Sequence, residues 1–223
     1  TIYYGYIFNE ETGLYEIKFS NISTEAITNR LTYSFTLMLS VETSEDAPRP
    51  LYQSNFTSMV AGENYILMED IVLTNWQPLS TEIASLDGNN KIITIESFDI
   101  GVAGSVNAGL FAVIGEDTII KNLTIDISSL DNQIFINDEN TTNVNINFGI
   151  LAGENRGLIY NCEIISLQDK KVELIIGNSY NLVFGSLVGL NSGSITNSRV
   201  GTEYFERLYF DRASTVLRCG DIE

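Results

Sequence analysis

Gly149-Ile-Leu-Ala-Gly-Glu-Asn-Arg-Gly-Leu-Ile-Tyr-Asn161-Cys-Glu-Ile and Gly185-Ser-Leu-Val-Gly-Leu-Asn-Ser-Gly-Ser-Ile-Thr-Asn197-Ser-Arg-Val align without a gap, and this match decides the fold. A looser copy precedes them, Gly109-Leu-Phe-Ala-Val-Ile-Gly-Glu-Asp-Thr-Ile-Ile-Lys-Asn122-Leu-Thr-Ile. It carries Val113 where the others have Gly153 and Gly189, and one extra residue before its Asn. Asn122 and Asn161 are 39 positions apart, Asn161 and Asn197 36. Self-similarity at such a period marks a repeat architecture.

Each copy reads as strand, tight polar turn, strand. Gly109, Gly149 and Gly185 open the copies. Gly153 with Gly157, and Gly189 with Gly193, bracket a turn where positive φ is expected of glycine. After the turn, side chains alternate, with Leu123 and Ile125, Cys162 and Ile164, Ser198 and Val200 inward and Thr124, Glu163 and Arg199 outward. Asn143 to Phe148 and Lys171 to Ile176 suggest a third strand per period. Three short strands in about 36 residues, each stacked on its equivalent, describe a parallel β-solenoid rather than a sandwich. Stacking at about 4.8 Å aligns Asn122, Asn161 and Asn197 for a side-chain amide ladder and sets Glu163 against Arg199.

Composition agrees and closes other routes. The 223 residues hold 12 Lys plus Arg against 29 Asp plus Glu, a net charge of −17, which repels phosphate backbones and excludes a nucleic-acid partner. With no His, the commonest zinc ligand and every Ser-His-Asp or Cys-His mechanism are gone. A hydrophobic fraction of 44% fills a core, yet no apolar run is long enough for a membrane-spanning helix. Only 18% of residues are charged, so Asn, Ser and Thr supply much of the surface, a composition that favours strands and turns over helices.

Upstream, Tyr65 to Leu73, Thr74 to Leu79 and Ile83 to Ile95 read as strand, loop, strand, turn, strand. The order Leu67 to Asp70-Ile71-Val72-Leu73, Trp76-Gln-Pro78, Leu86-Asp87-Gly88-Asn89, then Gly109-Leu-Phe and the Gly/Asn repeats resembles the GLUG-motif surface proteins. It covers roughly residues 63 to 201 and differs from their pattern at Ile83 and Asn90. The resemblance implies a right-handed parallel β-helix of filamentous-haemagglutinin type. Residues 1–62 do not repeat. Tyr3 to Phe8 and Leu14 to Phe19 read as a hairpin, Leu31 to Val41 as a strand and Glu42 to Pro50 as a linker, together a small β region or cap before the repeats of 63–223. The start at Thr1 reads as a processed or excised segment, and the tail from Thr202 as entry into another coil.

The candidate sites are mostly architectural. Cys162 falls on the inward face; a disulfide to Cys219 is the competing reading and requires the two Cα atoms to lie within about 7 Å. Asn21-Ile-Ser, Asn55-Phe-Thr, Asn122-Leu-Thr and Asn140-Thr-Thr match the N-glycosylation sequon. Loop-like surroundings favour Asn55 and Asn140 as acceptors, with Asn21 behind them, whereas Asn122 belongs to the ladder. Acids at Asp87, Glu116-Asp117 and Asp138-Glu139 raise Ca²⁺, but Lys91 spoils the loop pattern and no cofactor is expected. Asp117, Glu154 and Glu163, with Lys121 and Arg199 as bases, frame the rival reading of a polysaccharide-cleaving or glycan-binding protein. The leading expectation is a non-catalytic extracellular or cell-surface module: a stalk, adhesin or filament subunit that meets glycans, other surface proteins or copies of itself.

Overall fold

The computed structural model describes residues 2–9, 14–21, 47–101, 106–137, 144–167, 170–176, 180–201, 208–212 and 217–219. The chain divides into two units, Thr1–Ser40 and Val41–Glu223. In the first, strands Ile2–Asn9 and Leu14–Asn21 form the antiparallel hairpin expected from sequence. The expected strand at 31–41 lies outside the described residues, as does most of the expected linker.

The second unit is all-β, and among the described residues every strand pair in it is parallel. Five sheets are stacked in an order the chain visits repeatedly. Sheet 1 holds Arg49–Leu51, Asn64–Leu67, Ser85–Asp87, Ile119–Lys121, Leu158–Tyr160 and Ser194–Thr196. Sheet 2 holds Ile71–Leu73, Ile92–Ile95, Thr124–Asp126, Glu163–Ile165 and Arg199–Val200. Sheet 3 holds Ile100–Gly101, Gln133–Asn137, Lys170–Ile176 and Leu208–Arg212. Sheet 4 holds Val106–Ala108, Val144–Gly149, Tyr180–Gly185 and Leu217–Cys219. Sheet 5 holds Phe111–Ile114, Ala152–Asn155 and Val188–Asn191. Parallel neighbours joined by long excursions through other sheets make a solenoid-like repeat.

Three sequence expectations change here. A full coil carries five strands rather than three, because 144–149 and 170–176 occupy different sheets instead of equivalent positions. The stretch from Gly153 opens within a strand, Ala152–Asn155, and the bend follows it. The boundary moves from residue 62 to residue 40: Arg49–Leu51 pairs with Tyr65–Leu67, and Phe56 is buried in the core.

Successive sheet 1 strands show how the coil grows. Asn64 pairs with Ser85 after 21 residues, Ser85 with Ile119 after 34, Ile119 with Leu158 after 39, and Leu158 with Ser194 after 36. The short coil that starts at Asn64 adds strands to sheets 1 and 2 and skips sheets 3, 4 and 5. Trp76 fills that corner, bridging to Phe98, meeting Phe56 with tilted rings at 5.6 Å and donating its indole N–H to the Leu110 carbonyl at 2.9 Å. A buried Trp needs such a polar partner, and it has one.

Equivalent inward residues form apolar rows. Leu86, Ile120 and Ile159 run up sheet 1, and Ile93, Ile125 and Ile164 run up sheet 2, all at or below 1% exposure. Burying each such side chain contributes about 1.5–3 kcal/mol, and β-branched Ile suits the pleat. The repeat glycines serve close approach rather than backbone freedom. A Cβ on Gly109 would run into the Gly149 carbonyl, one on Gly153 into the Ala108 amide nitrogen, and one on Gly193 into the Gly157 carbonyl. The same holds for Gly149, Gly157, Gly185 and Gly189, each of which meets backbone. Positive φ, expected of these glycines, is taken by asparagines instead.

Candidate functional site

Between sheets 1 and 2 the chain turns sharply, and one residue must enter the left-handed region. Asn122, Asn161 and Asn197 do so, with φ of 53°, 53° and 49°. Asparagine tolerates this conformation better than other side-chain-bearing residues. Because the corner recurs in register, the amides face one another. Asn197 Nδ2 donates to Asn161 Oδ1 at 3.1 Å, Asn161 Nδ2 to Asn122 Oδ1 at 2.9 Å, and Asn122 Nδ2 to Asp87 Oδ1 at 3.1 Å. Asp87 anchors the row and also accepts the Asn89 amide at 2.9 Å.

Beside this row runs a second, Thr124, Glu163 and Arg199. Arg199 holds the Glu163 carboxylate through Nε at 2.9 Å and its terminal nitrogen at 2.7 Å. The two rows flank a polar groove of about 340 Å³. Cys162 lies at its floor as a free, buried thiol, and burial pushes its pKa up to about 11, against backbone hydrogen bonds with Leu123 and Tyr160 that lower it. The disulfide to Cys219 does not form. Cys162 precedes a strand of sheet 2, whereas Cys219 ends a strand of sheet 4, so the pair is not stacked.

Two further amide rows escaped the sequence reading. Asn155, fully buried, donates to Asn191 Oδ1 at 2.8 Å and accepts the Gly157 amide at 3.1 Å. Its signal was present, since Asn155 and Asn191 occupy equal places in the gapless match. Asn147 donates to Asn107 at 2.8 Å, and Asn107 to Glu154 at 3.1 Å. That row falls outside the glycine motif, and Val183 replaces Asn in the next coil.

Among the described residues, Asp117, Glu154 and Glu163, the acids considered for catalysis, do not converge on one groove. Glu116, Asp117 and Glu82 border a depression of about 420 Å³ that also includes Arg156. Glu154 is gripped by Arg156 at 2.8 and 3.0 Å, and Glu163 lies in the other groove with Arg199. The hydrogen bonds from Arg156 lower the Glu154 pKa; burial opposes them, and the Arg156 charge and Asn107 assist. Among the described residues, no group of three or more Cys, Asp and Glu is arranged to hold a metal ion. Asp138, Glu139 and Asn140 lie outside the described residues. Asn55 uses Nδ2, the atom a glycan would occupy, to bond the Pro50 carbonyl at 3.2 Å, and Asn21 ends a hairpin strand.

Fold and site together define a class, an all-β protein of stacked parallel sheets whose outward side chains pair from coil to coil. Comparison of the chain with known protein families, with curated proteins and with solved structures gives no match.

Proposed function

We propose that this chain is a non-catalytic structural module of an extracellular or cell-surface protein, a right-handed parallel β-helix of the GLUG-motif, filamentous-haemagglutinin type acting as stalk, adhesin or assembly subunit. The strong preference of parallel strands for right-handed crossovers supports the right-handed reading. Six sheet 1 strands at about 4.8 Å give a stack roughly 24 Å tall, stiff because every rung is hydrogen-bonded to the next. One observation carries the reading: Asp87, Asn122, Asn161 and Asn197 bond one another in series, with Glu163 and Arg199 alongside, so the polar groups brace the coils.

The amide-lined groove favours a second reading, a surface that binds glycans without cutting them, since planar amides suit sugar hydroxyls. Incubation with a polysaccharide panel separates these from an enzyme. No new reducing or unsaturated ends are expected, and their appearance overturns the structural reading. Surface proteolysis of intact source cells tests location: protection of the chain until lysis refutes cell-surface exposure.

A further inference from the structure

Sheets 1 and 2 each begin with a three-residue edge strand, Arg49–Leu51 and Ile71–Leu73. Outward-facing N–H and C=O groups on such a strand are a template for pairing with another chain. The bonds made inward show which groups those are. The Leu51 carbonyl accepts the Met68 amide and the Leu73 carbonyl accepts the Glu96 amide, both at 2.9 Å. Successive residues of a parallel strand address opposite neighbours, so the middle residues, Pro50 and Val72, are the ones turned outward.

One short segment occupies both. Gln53 lies against Val72 as a peptide unit would: its Oε1 accepts the Val72 amide at 2.7 Å and its Nε2 donates to the Val72 carbonyl at 3.0 Å. Pro50 has no N–H to offer, and Asn55 Nδ2 donates to its carbonyl at 3.2 Å. Contacts of its own hold the segment in place. Asn55 Oδ1 accepts the Tyr52 amide at 2.7 Å, Glu69 Oε1 accepts the Gln53 amide at 2.6 Å, and Phe56, which follows, is buried in the core. In later coils a sheet 1 strand leads within a few residues to a sheet 2 strand, as Ile119–Lys121 leads to Thr124–Asp126. After Leu51 the chain turns into a 3₁₀ helix, Phe56–Ser58, and the Gln53 side chain takes the place of the sheet 2 rung.

We propose that Pro50, Gln53 and Asn55 form a built-in cap that stops sheets 1 and 2 from growing past their first strands and keeps a second copy of the chain from pairing there. Proline and a side chain bonded across the edge are devices that prevent strand addition. A second copy is the partner excluded because two such edges related by a two-fold axis pair antiparallel. Val72 against Val72 would then exchange both N–H···O bonds, the same two groups that Gln53 holds. The role is the same for a stalk or a glycan-binding surface, and for an assembly subunit it removes these two edges from the joint.

The test uses the full chain. Gln53→Ala uncovers the Val72 groups at an exposed position and leaves the core untouched. Amide exchange followed by NMR should show Val72 exchanging about tenfold faster than in the parent, with the thermal midpoint within about 2 °C. Sedimentation velocity should show Gln53→Ala associating at a concentration about tenfold below any at which the parent does. Adding Val72→Pro removes an N–H that bonds nothing inside the stack, and should return association to the level of the parent. Gln53→Leu, close in size but without the amide, gives the same readouts should the alanine variant misfold. Equal exchange at Val72, association unchanged from the parent, or association that Val72→Pro leaves in place overturns the proposal.

Discussion

Asn161 does two jobs that substitution can separate. Its amide bonds Asn122 at 2.9 Å and Asn197 at 3.1 Å, and its backbone sits at φ 53°. Asn161→Gly removes both side-chain bonds and leaves the backbone unstrained. Solvent-exposed bonds of this kind contribute about 0.5 kcal/mol each, so the loss is about 1 kcal/mol. Asn161→Ala removes the same bonds and forces a Cβ-bearing residue without a compensating amide into the left-handed region, adding about 1–2 kcal/mol. The expected destabilisation is therefore about 2–3 kcal/mol for Ala against about 1 for Gly. For a unit of this size each kcal/mol moves the melting midpoint by roughly 2–4 °C. Thermal melts followed by circular dichroism should place Ala about 5–10 °C below the parent and Gly about 2–4 °C below it. If Ala is as stable as Gly, the corner does not demand asparagine's backbone tolerance. If neither variant moves, the amide row contributes nothing to stability.

The repeat glycines give a second contrast: Gly153→Ala drives a Cβ into the backbone of Asn107 and Ala108, whereas Gly101→Ala meets nothing within 4 Å. The first should abolish a cooperative melt or soluble expression, and the second should leave the midpoint within about 2 °C, as surface changes usually do. Glu154 predicts a pH effect. Its folded pKa lies below the ordinary 4.5, so its contribution to stability is complete above that value and is lost as pH falls through the folded one. Urea titrations should show Glu154→Gln less stable than the parent at pH 7, with the gap closing below pH 4.5; a gap independent of pH refutes the charged pairing. Cys162, with its thiol at about 11 and buried, should resist iodoacetamide at pH 8 in a Cys219→Ser background. Ionisation alone slows alkylation about 100-fold against the unfolded chain, so rapid native labelling would contradict the burial.

Much of the site could be read from the chain because the repeat preserves phase. Residues 149–164 and 185–200 match without a gap, so whatever faces Asn161 faces Asn197, and Glu163 comes to rest against Arg199. The coil's outline was less accessible. Ile100–Gly101 and Arg199–Val200 are two-residue strands, too short to show a period, and exist because a neighbour pairs with them. Lys170–Ile176 and Val144–Gly149 both read as strands, but only the pairing partners reveal that they occupy separate sheets.

The role of glycine shows the same division. A Gly in a polar stretch suggests a bend, because local sequence reports what the backbone can do and not what lies against it. At Gly153 the constraint comes from residues 107–108, more than 40 positions away, and at Gly193 from Gly157 in the coil below. Gln53 is a plain surface residue in the sequence; only the edge strand at Val72 makes it a cap. The sequence by itself determined the strand-forming composition, the repeat and its phase, and the equivalence of Asn122, Asn161 and Asn197, since all are properties of residue order. Coil length, sheet number, the close-packed glycines and the Gln53 cap on Val72 were decided by tertiary structure, because each depends on hydrogen bonds and contacts between residues that the sequence keeps far apart.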